Sequence, residues 1–298
     1  MKVLISGASG LIGSAMKADL LLNGHEVYSL SRKDSHDPKS IKWNVTAKSG
    51  TLHGIESLDA VIHLSGESIG ARRWSPHQKK LIVSSRLEST RFLIDLLDKS
   101  KLNPEVFVVA SAIGIYGDRG SELLEETSNP GNGFLSSLVS DWEYEASHAN
   151  RVARRIAYLR TGIVLSTYGG ALSKQLPLFR LGLGAVLGNG GQYLSWIHLQ
   201  DEVRAINAVL SNPKISGPVN LVSPNPVTNL EFSRTLARVL RRPLLLKAPG
   251  FVLELALGKE FADEMLLTSQ RVMPSALLGA GFEFKFPELN AALTDSLR

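Results

Sequence analysis

The first thirteen residues constrain the fold more than any other part of the chain. Lys2-Val3-Leu4-Ile5-Ser6 is a short apolar run, and Gly7-Ala8-Ser9-Gly10-Leu11-Ile12-Gly13 follows it directly. A helical pattern then runs from about Leu11 to Asn23 and stops at Gly24. Glycines at this spacing are a weak signal alone and a strong one between a strand and a helix. Gly7 permits a tight turn with positive φ, Gly10 lets backbone approach a pyrophosphate, and Gly13 lets the helix pack close to the strand. The helix start offers unpaired N–H groups and a partial positive charge to phosphate. The turn therefore points to a dinucleotide held at Gly7, Ser9, Gly10, Leu11, Ile12 and Gly13.

The chain beyond the turn repeats the same alternation. Residues 26–30, 59–64, 106–110 and 156–160 are apolar, strand-like runs, and residues 79–99 and 135–150 carry helical patterns between them. Strands alternating with amphipathic helices predict a parallel sheet covered on both faces. After about residue 165 the character changes. Residues 166–197 are glycine-rich and irregular, residues 217–222 read as a strand, and residues 229–242 as an amphipathic helix. The expectation is an α/β fold: a Rossmann-type doubly wound parallel sheet with a smaller C-terminal substrate lobe. Residues 1–165 are expected to form the dinucleotide-binding domain and 166–298 the lobe, with segments near 198–222 returning to the sheet.

The end of the second strand bears on which dinucleotide fits. An NAD site wants an acid there for the ribose 2′-hydroxyl, but the chain has Ser31-Arg32-Lys33. A guanidinium grips a 2′-phosphate that an acid would repel. The expected cofactor is thus NADPH, with Ser31 and Arg32 at its 2′-phosphate. The chain has no cysteine, which excludes disulfides, zinc–thiolate sites and thiol nucleophiles and fits a reducing compartment. The formal net charge of +5 is spread over the chain without a long basic run. That suits an acidic small ligand better than nucleic acid. No stretch approaches the ~18 apolar residues of a membrane span. A cytoplasmic protein is expected, with a small-molecule substrate, no metal, no nucleic-acid partner and no membrane partner.

Several motifs resemble those of the extended short-chain dehydrogenase/reductases, the NAD-dependent epimerase/dehydratase family. Besides the glycine turn, these are Asp59-Ala60-Val61-Ile62-His63-Leu64-Ser65-Gly66, Ser111-Ala112-Ile113-Gly114-Ile115-Tyr116-Gly117 and Leu159-Arg160-Thr161-Gly162-Ile163-Val164-Leu165. Ser195-Trp196-Ile197-His198-Leu199-Gln200-Asp201 looks like the later segment near the substrate. An atypical branch called epimerase family proteins, with a C-terminal domain of unknown function, is more similar still. Its marks are Arg72-Arg73-Trp74, Asp141-Trp142-Glu143 and the run from Pro177 to Gly184. The resemblance implies that Leu64, Ser65 and Gly66 pass beneath the adenosine and ribose, and that Arg86 approaches the cofactor phosphates. It implies hydride transfer at a carbonyl or carbinol carbon of a small or sugar-nucleotide substrate. The alternative it leaves is a non-catalytic NADPH-binding regulator, since some members of the branch carry a cell-division label.

The catalytic pattern departs from that family. Its active members use Tyr-x-x-x-Lys, which puts phenol and ammonium on one helix face. No lysine in this chain has a tyrosine four residues before it. If Glu143 matches the family's usual acid, Leu135 and Val139 stand where the pair should be, and neither transfers a proton. The usual serine position holds Ala112, with Ser111 one residue earlier. The remaining candidates for proton chemistry are Ser111, Tyr116 and His198, the last because its ordinary pKa lies near 6.5.

Overall fold

The computed structural model describes residues 1–298. Its centre is an eight-stranded sheet of β1 (Lys2–Ser6), β2 (Glu26–Ser31), β3 (Ser40–Asn44), β4 (Ser49–Gly50), β5 (Ala60–His63), β6 (Val106–Ala112), β7 (Arg155–Thr161) and β8 (Gly217–Leu221). The strands lie in the order β8-β7-β6-β5-β1-β2-β3-β4. The pairs β1–β2, β1–β5, β2–β3 and β5–β6 are parallel, and the short edge strand β4 pairs antiparallel with β3. The strand order reverses direction at β1, which places the Gly7 turn at the switch point where such sheets bind ligands. Central strands are apolar on both faces, because helices cover both sides. Val3, Leu4, Ile5, Val61 and Ile62 are all fully buried.

Two helices fix the surroundings of that turn. α1 (Leu11–Leu22) begins at Gly10 and ends before Gly24, whose φ of 76° closes the last turn at a residue that carries no Cβ. α2 (Pro76–Lys99) starts from Ser75, whose hydroxyl accepts from Gln78 N–H at 3.1 Å, with Pro76 at the first helical position. Such a cap contributes about 1 kcal/mol. Ile82, Arg86, Ser89, Leu93 and Leu97 recur at helical spacing on its buried face. Each aliphatic of that face contributes roughly 1.5–3 kcal/mol by burial, so the helix is anchored firmly enough to hold the polar members in place.

The remaining helices used below are α3 (Phe134–Ser147), α4 (Gly170–Arg180), α5 (Leu199–Ser211), α6 (Asn229–Val239) and α7 (Gly250–Leu257). α3 stops earlier than its pattern suggests: residues 148–151 tighten into a 3-10 turn. α6 likewise ends at Val239 rather than 242. The chain divides into two compact units, one of residues 1–111, 140–159 and 206–218, the other of 112–139, 160–205 and 219–298. The second unit has its own apolar core, built on Leu172, Phe179, Trp196, Phe232, Leu236 and Leu293. No helix is long and apolar enough to cross a membrane.

Candidate functional site

The glycine turn is shaped by backbone contact. Gly7 has φ of 73°, and a Cβ there would stand 2.7 Å from the carbonyl of Leu64. A Cβ on Gly13 would stand 2.2 Å from the carbonyl oxygen of Gly7. Both positions therefore exclude any side chain, and the turn lies directly on Leu64 and Ser65. Gly10 serves as the helix cap with no side-chain hydrogen bond, and the first turn of α1 holds no acid. The first N–H groups of α1 are thus free of protein carboxylates, while Ser9 and Gly10 are exposed. An uncapped, acid-free helix start behind a backbone-lined turn fits a bound pyrophosphate.

Beneath the turn lies a polar network that the sequence reading missed. His63 is fully buried, with its Nδ1 2.6 Å from the Ser6 hydroxyl and its Nε2 3.1–3.2 Å from the Thr90 and Ser89 hydroxyls. Ser89 donates its own proton to Ser85 O, and Thr90 accepts from Trp142 Nε1 at 2.9 Å. That arrangement leaves Nε2–H of a neutral ring as the donor and Nδ1 as the acceptor from Ser6. Burial pushes the His63 pKa down to about 3, so the neutral form is held throughout the ordinary pH range. The signal available in the sequence was weak: a histidine closing an apolar strand, with Ser89 and Thr90 on the buried side of the next helix.

Arg86 extends the same layer. Its guanidinium is buried against Gly66, donates to Glu67 O and Ile82 O at 3.0 Å each, and lies 5.1 Å from the Trp142 ring. Burial lowers its pKa to about 10, and no carboxylate is bonded to it. A buried cation bonded only to carbonyls favours a nearby anion. Among the residues expected to bind cofactor, Gly7, Gly13, Leu64 and Ser65 therefore meet, and Gly66 meets Arg86. Arg32 and Lys33 are exposed one and two residues past β2, next to the Ser31 hydroxyl, which accepts from Lys33 N–H at 3.1 Å. The acids of that loop are taken up elsewhere, Asp34 by Lys42 and Asp37 by Lys17. Arg32 itself is paired with no carboxylate.

The residues expected to move protons are differently placed. Ser111, at the end of β6, donates its hydroxyl to Glu143 Oε1 at 2.6 Å, and Glu143 is half-buried on α3. Tyr116 is fully buried: its hydroxyl donates to Asn220 Oδ1 at 2.7 Å and accepts from Arg160 at 3.0 Å. Burial raises the Tyr116 pKa, against the opposing pull of Arg160. His198 is buried, its ring centroid 4.1 Å from that of Phe286 and tilted by 43° to it, and accepts from Gln200 N–H through Nδ1. Its Nε2 is 3.3 Å from Asp295, and burial lowers its pKa. Tyr116 and His198 thus have separate sets of partners within the second unit. Leu135 and Val139 are buried in α3, whose first N–H groups, on Phe134 and Leu135, are bonded by Glu264 at 2.7–2.8 Å.

The second unit holds two further buried carboxyl groups. Glu202, in the first turn of α5, is fully buried and accepts from the Thr161 hydroxyl at 2.9 Å through Oε1, while Oε2 has no partner. Burial pushes its pKa up to about 8, so the carboxyl is protonated at neutral pH. Its neighbour Asp201 instead accepts from Lys285 N–H, Phe286 N–H and Arg204, tying the C-terminal segment to α5.

Comparison with known proteins gives a consistent result. Residues 3–222 match the sequence profile of the NAD dependent epimerase/dehydratase family, and residues 248–296 match a domain of unknown function (DUF1731). The epimerase family protein ML0860 of Mycobacterium leprae is 41% identical over 292 residues, covering 98% of this chain and 94% of its own. The crystal structure of human epimerase family protein SDR39U1 (isoform 2) with NADPH superimposes with a TM-score of 0.91 at 34% identity, covering 99% of this chain and 98% of that one. A nucleoside-diphosphate sugar epimerase from Corynebacterium glutamicum gives a TM-score of 0.79 at 32% identity, covering the whole of this chain and 58% of its own.

Proposed function

The chain belongs to the NAD dependent epimerase/dehydratase family, and on that premise we propose that it is an NADPH-dependent oxidoreductase or epimerase acting on a small or sugar-nucleotide substrate. The observation that carries this reading is the uncapped, acid-free start of α1 behind the Gly7–Gly13 turn. Backbone N–H groups from Gly10 to Gly13 hold the pyrophosphate, with Ser9 at the turn's exposed tip. Ser31 and Arg32 hold the 2′-phosphate, Leu64, Ser65 and Gly66 lie beneath adenosine and ribose, and Arg86 supplies positive charge to the phosphates. The human relative crystallised with NADPH supports the choice of cofactor, and the Corynebacterium relative's name supports a sugar nucleotide as substrate class.

When bound, the nicotinamide supplies or accepts hydride at a carbonyl or carbinol carbon. The chain's own residues must then handle the proton. Ser111 is the foremost candidate because its hydroxyl is already bonded to a carboxylate, Glu143, that can take up or return its proton. Tyr116 holds its proton toward Asn220 in a buried site, which suits positioning of the Ile113–Tyr116 turn more than proton release. His198 is a neutral base whose Nδ1 is already occupied by a backbone N–H.

A second reading, a nucleotide-binding regulator without turnover, is favoured by the buried Leu135 and Val139, which leave α3 without a phenol–ammonium pair. Incubation of the pure protein with NADPH, carbonyl compounds and sugar nucleotides separates the two. Oxidation of NADPH, or interconversion of a sugar nucleotide, that falls at least tenfold in Ser111→Ala supports the enzyme. Tight binding of NADPH with no turnover across the panel supports the regulator.

A further inference from the structure

One surface of the second unit has a composition that the nucleotide site does not explain. α7 reads Gly-Phe-Val-Leu-Glu-Leu-Ala-Leu and buries none of its residues, although it is almost wholly apolar. Phe251 is 71% exposed and Leu245, shortly before it, 83%. The strand Leu246–Ala248 pairs in parallel with Ala185–Leu187, and Gly182 lies against Pro243. These contacts bring Leu181 and Leu183, both exposed, to the neighbourhood of Leu245 and Leu246, and Phe251 follows three residues past the other end of the strand. Isolated exposed leucines are ordinary, but contiguous apolar patches mark interaction surfaces.

The charges beside this patch are mostly basic. Arg180, Arg241, Arg242 and Lys247 are exposed, and none of them engages a carboxylate. The acid of α7, Glu254, is half-buried and lies 3.8 Å from Lys259. We propose that this face docks the protein on an anionic membrane surface. Leucine, valine and phenylalanine side chains enter the boundary between headgroups and acyl chains, while the arginines and the lysine meet lipid phosphates. A second copy of the chain fits the face poorly, because a two-fold contact would set the same cationic cluster against itself. An eight-residue helix, about 12 Å long, lies in the interface and does not cross it. The expectation of no membrane partner rested on the lack of a span, which a peripheral face does not need.

The test is cosedimentation of the full chain with vesicles of phosphatidylcholine alone and of phosphatidylcholine mixed with phosphatidylglycerol, at low and high salt. Two doubly substituted proteins accompany it, Leu245→Ser with Phe251→Ser, and Arg241→Glu with Arg242→Glu. All four side chains are exposed, and circular dichroism checks that each protein is folded. The proposal expects binding to the anionic vesicles only, weakened by salt. The arginine variant should bind at least about twenty-fold more weakly, from roughly fivefold for each basic residue, and the apolar variant at least tenfold more weakly. Equal binding to both vesicles, no binding to either, or binding untouched by both variants overturns it. So does a stable dimer in solution that Leu245→Ser with Phe251→Ser dissociates, since a second copy would then cover the face.

Discussion

Two buried ionisable side chains, one in each unit, are accommodated in opposite ways. In the first, His63 is held neutral with both ring nitrogens bonded, and its partners lead to the glycine turn through Ser6 and to α2 and α3 through Ser89, Thr90 and Trp142. In the second, Glu202 is also buried and neutral, yet one of its oxygens has no partner. A fully satisfied buried network makes its surroundings rigid, whereas a partly satisfied one costs free energy. The difference teaches where precision is spent. Beneath the glycine turn Ser6, His63, Ser89, Thr90 and Trp142 all find partners, and at α5 one oxygen of Glu202 does not.

The largest effect expected from breaking this contrast is at Gly13. Gly13→Val pushes a side chain into the Gly7 carbonyl, an overlap costing about 3 kcal/mol or more. NADPH affinity, measured by fluorescence titration, should fall at least about a hundredfold. Retained affinity would show that the turn deforms freely. Next is His63→Leu, which strands the Ser6 hydroxyl and should lower stability by roughly 2–4 kcal/mol in urea unfolding. His63→Gln should recover part of that loss, because an amide can still meet Ser6 or Thr90. Arg32→Ala should weaken NADPH binding by ~1.5–3 kcal/mol, the range for a charged hydrogen bond. NADH binding should stay nearly unchanged, and equal losses for both nucleotides would remove the 2′-phosphate from the role of Arg32.

The smallest effect at pH 5, and the sharpest in sign, is at Glu202. Its folded pKa of about 8 lies above the ordinary 4.5, so its contribution is complete below about pH 4.5 and is lost as pH rises through about 8. His63 runs the other way. Its folded pKa of about 3 lies below the ordinary 6.5, so its contribution is complete above about 6.5 and is lost as pH falls toward 3. The two slopes oppose each other between about pH 4.5 and 6.5, where stability should be nearly flat. Glu202→Gln should change stability at pH 5 by no more than about 1 kcal/mol and abolish the decline between about pH 6.5 and 8. A variant that unfolds with the same alkaline slope as the parent would show that Glu202 is not the group responsible.

The sequence was most legible where a backbone demand permits only glycine. Gly7 and Gly13 announce the turn because any Cβ there meets a carbonyl, and the alternation of apolar strands with helices announces the parallel sheet. Arg32 was readable because its position past β2 follows from strand length alone. The proton-handling residues were harder. Ser111, Tyr116 and His198 could be named by motif, but their bonds to Glu143, Asn220 and Asp295 join residues from 32 to 104 positions apart, and no local pattern encodes them. The Ser6–His63–Thr90 network was hidden for the same reason. The exposed face around α7 was hidden for a different one: apolar periodicity reports that a helix has a face to cover, and the sequence does not say whether the chain covers it.

The central claim is that the turn after β1, with Arg32 beyond β2, selects a dinucleotide bearing a 2′-phosphate. Isothermal titration of the folded protein with NADPH and with NADH tests it directly. The account predicts saturable binding of NADPH with at least tenfold weaker binding of NADH, and loss of that preference in Arg32→Ala. Protein that is folded by circular dichroism yet binds neither nucleotide, or prefers NADH, would contradict it.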